Sequence, residues 1–186
     1  MRVVFTCGGS AGHVNPALAV AQVFQAHDPG CEVLFIGAER GMEQRLVSQA
    51  GYPIRTVQVS TFERAWSLKV LRHNIGSAVK VPIGRRQAAR ILRDFRPDLV
   101  VGTGGYASFP AVREAARMGI PTAIHESNVY PGLTTRALAD KVDLVMVGFP
   151  EAASYYQNAR RVEVTGTPVR GEFFTLDRTQ ARQVLE

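Results

Sequence analysis

The sequence predicts an α/β domain of the doubly wound, Rossmann-like kind, and three observations predict it. Short apolar runs alternate with amphipathic stretches along nearly the whole chain. Runs such as Leu99-Val100-Val101 are continuously apolar, as strands of a parallel sheet covered on both faces should be. Glycine and proline punctuate the joins between the two kinds of segment.

Taken in order, strands are expected at Val3 to Cys7, Glu32 to Ile36, Ile54 to Val59, Leu99 to Gly102, Thr122 to Ile124, Leu144 to Val147 and Arg161 to Val164. Helices are expected between them at Pro16 to Gln25, Met42 to Ala50, Ala88 to Phe95, Phe109 to Met118 and Leu133 to Ala139. Pro16 suits the first turn of its helix, where a missing N–H leaves nothing unpaired. Gly51 and Gly119 are placed to close helices, and Pro53, Pro97 and Pro121 stop the preceding helix before the next strand. Right-handed crossovers then give the doubly wound order. Asp177 to Glu186 has a helical pattern with no strand after it, so residues 1–170 read as the domain and 171–186 as a linker or the entrance to something further on.

A chain of 186 residues suffices for one domain with a sizeable core and is short for two. Its hydrophobic fraction of 46% and mean hydropathy of -0.03 describe an ordinary globular protein. No apolar run approaches the ~20 residues of a membrane-spanning helix. Met1-Arg2 leads directly into the first strand, so no signal peptide and a cytoplasmic location are expected. Cys7 and Cys31 read as small buried hydrophobes, because no second Cys or His pair stands at ligand spacing. The net charge of +6 and pI near 9.8 are unevenly spread: from Arg64 to Arg96 there are nine Lys or Arg and one acid, Asp94. Such a segment attracts polyanions, or is simply a solvated helix face.

Four turns at the carboxyl edge of the sheet carry the candidate chemistry. The first, Cys7-Gly8-Gly9-Ser10-Ala11-Gly12-His13, joins a strand to a helix whose N-terminus offers unpaired N–H groups to an anion. It has neither the dinucleotide spacing nor the Lys-Ser/Thr of a P-loop. His13 is either a proton acceptor for a substrate or a helix-capping residue. The second turn, Gly102-Thr103-Gly104-Gly105-Tyr106-Ala107-Ser108, fits G-x-G-x-x-A by letter, and two glycine-rich turns at one edge suggest an extended site for a phosphate-bearing ligand. Tyr106 either positions a sugar or packs. In the third turn, His125-Glu126-Ser127-Asn128, a carboxylate and an amide together suit sugar hydroxyls. Glu126 is a candidate general base or a partner that orients His13, and Asn128 is alternatively a helix N-cap. The fourth, Gly166-Thr167-Pro168-Val169-Arg170, ends in an arginine suited to phosphate or to a surface ion pair.

These four turns, in this order and spacing, resemble the MurG family, the N-acetylglucosaminyltransferases that convert lipid I to lipid II in peptidoglycan synthesis. The resemblance runs from the first strand to Arg170 and rests on the first turn with His13-x-x-Pro16-Ala17-Leu18-Ala19, on Gly104-Gly105-Tyr106-x-Ser108, on His125-Glu126-x-Asn128 and on Pro168-Val169-Arg170. It implies the N-terminal half of a GT-B glycosyltransferase, two Rossmann-like domains facing across a cleft, with the lipid-linked acceptor handled by this half and most contacts to UDP-GlcNAc by the other. The resemblance also implies that Ser10, Ala11, Gly12, Asn128 and Arg170 contact the donor sugar nucleotide. His13 is the implied site histidine and candidate base, and Tyr106 and Glu126, with Gly104 and Gly105, serve acceptor binding or catalysis. Where the family reads Gly-Gly-Thr-Gly-Gly-His, this chain has Ser10-Ala11, so a positive φ at Ala11 would be strained. Ser127 and Thr167 also depart from the family's Gln and Asn.

The implied reaction is inverting transfer of GlcNAc from UDP-GlcNAc to the C4 hydroxyl of MurNAc in lipid I. The second domain's absence predicts that the chain alone lacks transferase activity. No Asp-x-Asp pair stands at an edge turn, so no metal ligand and no cofactor is assigned, and a divalent cation is not indicated. Because the acceptor that the resemblance implies is a lipid, the basic segment gains meaning. Trp66, Leu68, Val70, Leu71, Ile75, Val79, Val81 and Ile83 interleave with Lys69, Arg72, Lys80, Arg85 and Arg86, which suits a peripheral protein on the cytoplasmic face of an anionic membrane. Nucleic acid is not expected as a partner, since aliphatics rather than aromatics interleave there. A nucleotide-cofactor oxidoreductase fits poorly, because Glu39 is only loosely placed to hold a ribose after the second strand. The alternative left open is a non-catalytic lipid- or sugar-nucleotide-binding subunit working with a separate catalytic chain.

Overall fold

The computed structural model describes residues 1–59, 68–175 and 182; for 68–80, 172 and 175 it describes the backbone alone. Seven strands form one parallel sheet: β1 (Arg2–Thr6), β2 (Glu32–Ala38), β3 (Ile54–Val57), β4 (Leu99–Gly102), β5 (Thr122–Glu126), β6 (Leu144–Val147) and β7 (Val162–Val164), in the order β3-β2-β1-β4-β5-β6-β7. Strand order reverses between β1 and β4, whose ends lie in register with Thr6 opposite Gly102. That reversal is the switch point at which ligands of open α/β sheets bind, so the first two glycine turns emerge side by side there.

Helices α1 (Ala11–His27), α2 (Glu43–Gln49), α3 (Leu68–Phe95), α4 (Ser108–Arg117) and α5 (Leu133–Leu138) alternate with the strands. Two short helices, α6 (Pro150–Ala153) and α7 (Glu172–Thr175), follow, with a 3₁₀ turn at Ser154–Tyr156. The sheet is buried on both faces, as its continuously apolar strands require. One core gathers Val4, Ile36, Val100 and Ile124 with Leu92 of α3 and Ala111 of α4. The other gathers Phe5, Phe35 and Val101 with Val14 and Leu18 of α1, and Phe5 stacks on Phe35 at 5.5 Å between ring centres. Cys7 and Cys31 are free and buried, as expected of small hydrophobes.

Two helix starts differ markedly from the sequence reading. α1 begins five residues earlier than expected, so Pro16 lies inside it rather than at its first turn and is buried in the core. α3 runs from Leu68, not Ala88, with Pro82 inside it. It is held by tertiary contact: Gly84 packs where a Cβ would lie 2.6 Å from the Gln58 carbonyl oxygen, and the Gln58 N–H donates to the Gln87 side chain at 2.7 Å. Residues 177–186, apart from Arg182, lie outside the described residues, as does Trp66. Among the described residues no helix is long and apolar enough to cross a membrane.

The α3 contact yields a test with an informative sign. Helix propensity alone favours Gly→Ala by about 1 kcal/mol. At position 84 the overpacking against backbone outweighs it, so Gly84→Ala is expected to destabilise by about 1–3 kcal/mol in urea unfolding.

Candidate functional site

The site is built from two turns that cannot be separated. Gly105 has φ +80, and a Cβ there would stand 1.8 Å from the Gly8 carbonyl oxygen; only glycine allows that approach. Gly104, φ +101, lies beneath the imidazole of His13, whose Nδ1 is 2.7 Å from where its Cβ would be. The Tyr106 ring covers Gly9, φ +88, in the same manner. Backbone and hydroxyl hydrogen bonds lock the pair. The Thr103 N–H donates to the Thr6 carbonyl at 3.0 Å, and the Thr103 hydroxyl donates to the His13 carbonyl at 2.6 Å. The Ser108 hydroxyl lies 2.6 Å from the Gly104 carbonyl and 3.0 Å from that of Thr6. His13 is therefore no helix cap. It sits in the first turn of α1, with its ring between turns one and two.

Ser10 is the residue at which α1 starts: its carbonyl accepts from the N–H groups of His13 and Val14 at 3.1 and 3.2 Å. Ser10, Ala11 and Gly12 are exposed at the sheet edge. Ala11 is already helical, and among the described residues Arg96 is the non-glycine with positive φ. The strain expected at Ala11 is thus absent, because the left-handed positions of this edge fall on Gly9, Gly104 and Gly105.

Turn three is organised around Glu126, which is buried. Its Oε1 accepts from the backbone N–H and side-chain amide of Asn128 at 3.0 and 2.7 Å; its Oε2 accepts from the Gly132 N–H at 2.8 Å and from the Thr135 hydroxyl. Burial pushes its carboxyl up, but these bonds outweigh that and hold it below the usual carboxylate range. A carboxylate so engaged is a poor proton acceptor; its evident task is to shape the loop. Asn128 is bound into that loop rather than capping α5, whose N-cap is Gly132.

His125, which drew no attention as a site residue, ties turn three to turn four. Its Nε2 is 2.9 Å from the Gly166 carbonyl, and its Nδ1 is 3.2 Å from the Ser127 hydroxyl. Burial lowers its pKa, with the Gly166 bond and Glu126 opposing only in part, so the ring is neutral and donates from Nε2 while accepting from Ser127. Gly148, after β6, lets turn four close in: a Cβ there would meet the Thr167 hydroxyl at 2.6 Å. Half-buried Arg170 follows, its carbonyl accepting from the Phe173 N–H at 3.1 Å.

Away from this edge, α3 and α4 enclose a groove of about 640 Å³ lined by Arg85, Arg86, Arg90, Arg93 and Arg117 with Glu114. Glu114 bonds Arg85 at 2.5 Å and Arg117 at 2.7 Å. Burial raises its carboxyl, and the two guanidinium groups more than reverse this. Arg86, Arg90 and Arg93 are exposed. The apolar interleaving from Leu68 to Val79 falls where the backbone alone is described. Among the described residues no group of three His, Cys, Asp or Glu side chains gathers as a metal site would.

A seven-stranded doubly wound sheet with two fused glycine turns at its switch point defines a ligand-binding α/β class of domain, and the chain belongs to glycosyltransferase family 28, the model of whose N-terminal domain matches residues 3–147. More particularly, it is similar to the UDP-N-acetylglucosamine--N-acetylmuramyl-(pentapeptide) pyrophosphoryl-undecaprenol N-acetylglucosamine transferases. It is 42% identical over 186 residues to that of Acetivibrio thermocellus, which is 100% of this chain and 49% of that protein. Against that of Moorella thermoacetica it is 44% identical over 183 residues, 98% of this chain and 48% of the relative. Among solved structures, Acinetobacter baumannii MurG matches with a TM-score of 0.70 and 30% identity over 91% of this chain and 46% of its own. The chain spans about half the length of the curated relatives it matches. The resemblance to the MurG family read from the four turns is borne out, as is the Rossmann-like fold.

The His125 bridge predicts an acid limb in stability. Its folded pKa lies below the unfolded value of about 6.5, so the unfolded chain binds the extra proton and stability falls as pH drops through about 6.5 toward the folded value. In His125→Gln, which keeps a donor for Gly166, unfolding free energy measured from pH 7.5 to 5 should be flatter than in the wild type.

Proposed function

We propose that this chain is the acceptor-binding, membrane-facing half of an enzyme that transfers GlcNAc from UDP-GlcNAc to the C4 hydroxyl of MurNAc in lipid I, with inversion, giving lipid II. The names of its relatives support the substrate classes, and the seating of His13 over Gly104 is the observation that carries the mechanism.

In this reading the acceptor sugar lies in the crevice above turns one and two. The His13 imidazole takes the C4 hydroxyl proton as that oxygen attacks the anomeric carbon, and the bond to the UDP oxygen breaks on the opposite side. The helix α1 start, with the N–H groups of Ala11 and Gly12 beside Ser10, receives diphosphate charge. Tyr106, Gly104 and Gly105 shape the floor beneath the sugar. Glu126 holds Asn128 and the α5 start in position, so that the amide and Arg170 stand toward the donor. No bound cofactor is assigned to these steps. Most donor contacts are assigned to the part of the relatives that these residues do not span, so the 186 residues by themselves bind acceptor without turnover.

The basic face gives the lipid side. The exposed arginines of the α3–α4 groove, beside exposed Pro82 and Ile83, suit the phosphates of an anionic cytoplasmic leaflet.

Two experiments test this. A chimera carrying this chain in place of the corresponding half of the Moorella thermoacetica relative should make lipid II, and His13→Ala in it should lower kcat by about 10²–10⁴-fold; an inactive chimera that still binds the acceptor favours a non-catalytic subunit. In vesicle flotation, the chain should bind vesicles containing phosphatidylglycerol and not neutral ones. Arg86→Glu with Arg90→Glu should abolish that binding, and binding that ignores lipid charge would sink the membrane assignment.

A further inference from the structure

Glu43 opens α2, a place where an acid ordinarily faces water and favours the helix dipole. Here its side chain turns inward and is wholly buried, 0% exposed. Its Oε1 accepts the Ala38 N–H at 2.7 Å, and its Oε2 accepts the Gly9 N–H of turn one at 3.4 Å. Three glycines make room for it. A Cβ at Gly41 would lie 2.1 Å from Oε1, one at Gly37 2.5 Å from Cγ, and one at Gly8 2.7 Å from Oε1.

A carboxylate in that position is costly to desolvate, and a neutral residue of the same shape would fill the space without that cost. What the charge reaches is the site. Gly9 lies under the Tyr106 ring, and Gly8 carries the carbonyl against which Gly105 packs.

We propose that Glu43 is a positioning residue: from beneath turn one it holds the Gly9 N–H and so sets how the turn, Tyr106 and the start of α1 with His13 meet the crevice. The assignment rests on reading this crevice as the acceptor site. It also refines where an anion goes. The Gly9 N–H is engaged from below by a negative group, so a diphosphate is directed to the exposed start of α1 at Ala11 and Gly12 instead. The Tyr106 phenol feels the same group, its pKa raised by burial first and by Glu43 second.

The test is Glu43→Gln in the 186-residue chain, read by NMR and by binding of a soluble lipid I analogue. Glutamine keeps the shape but cannot accept from both N–H groups. The Gly9 amide proton should move upfield, the Tyr106 ring should titrate at lower pH, and affinity for the analogue should fall about tenfold, with the melting temperature little changed. Glu43→Asp keeps the charge but not the reach: it should leave the Tyr106 titration raised while losing the Gly9 shift. Gly41→Ala, which displaces the carboxylate without removing it, should reproduce the Gly9 effect. Unaltered Gly9 and Tyr106 signals in Glu43→Gln overturn the proposal, as does unfolding of both Glu43→Gln and Gly41→Ala, which would make the role one of stability alone. If the wild-type chain binds no analogue, the functional reading fails by itself, and the two NMR signals still decide the role of Glu43.

Discussion

Among the described residues, the closest constraint is the contact between the first and second glycine turns. The Gly8 carbonyl occupies the space a Cβ on Gly105 would need, and the His13 imidazole occupies that of Gly104. Sheet order makes the contact possible by placing β1 beside β4. The hydroxyls of Thr103 and Ser108 then fix it in register. Everything proposed for the crevice follows from this: the height of His13, the cover of Tyr106, and the exposure of the α1 start.

Buried acids brace the edge around that contact. Glu43 holds the first turn from below and Glu126 gathers four donors inside the third turn; away from the edge, Glu114 joins Arg85 of α3 to Arg117 of its own helix. Each charge is met by oriented N–H, hydroxyl or guanidinium groups, which is the condition under which a buried carboxylate is tolerable. Neutral His125 does the same between turns three and four. The edge is therefore braced by buried groups at turns one and three, while Ser10 to Gly12 and Asn128 are exposed along it and Arg170 is half-buried.

Most of the fold was legible because parallel strands are apolar throughout and glycines close the helices; Gly51 and Gly119 do adopt the positive φ expected of them. Helix starts were less legible. Pro16 advertised a first turn, but the start was set by Ser10 and the glycines before it, and a proline is accommodated inside α1. α3 starts at Leu68 rather than Ala88, with Pro82 and Gly84 inside it, and the glycine there marks a contact with Gln58, not a turn. The same distinction explains the site. Glycine positions and His13 were readable, since they mark turns. Ala11 seemed strained only while its helical conformation was unknown. Glu126 looked like a base because sequence cannot show that Thr135, nine residues on, saturates it. Glu43 escaped notice for want of a motif; the signal that marked it was an acid between β2 and α2 flanked by Gly37 and Gly41.

The central claim, that turns one and two form one unit with His13 seated on Gly104, is open to a direct measurement on the free chain. Nuclear Overhauser contacts from the His13 ring protons to the Gly104 α-protons, with those from the Tyr106 ring to Gly9, should be strong and present together. Their absence in a folded chain, with His13 turned away from the second turn, would contradict the account at its base.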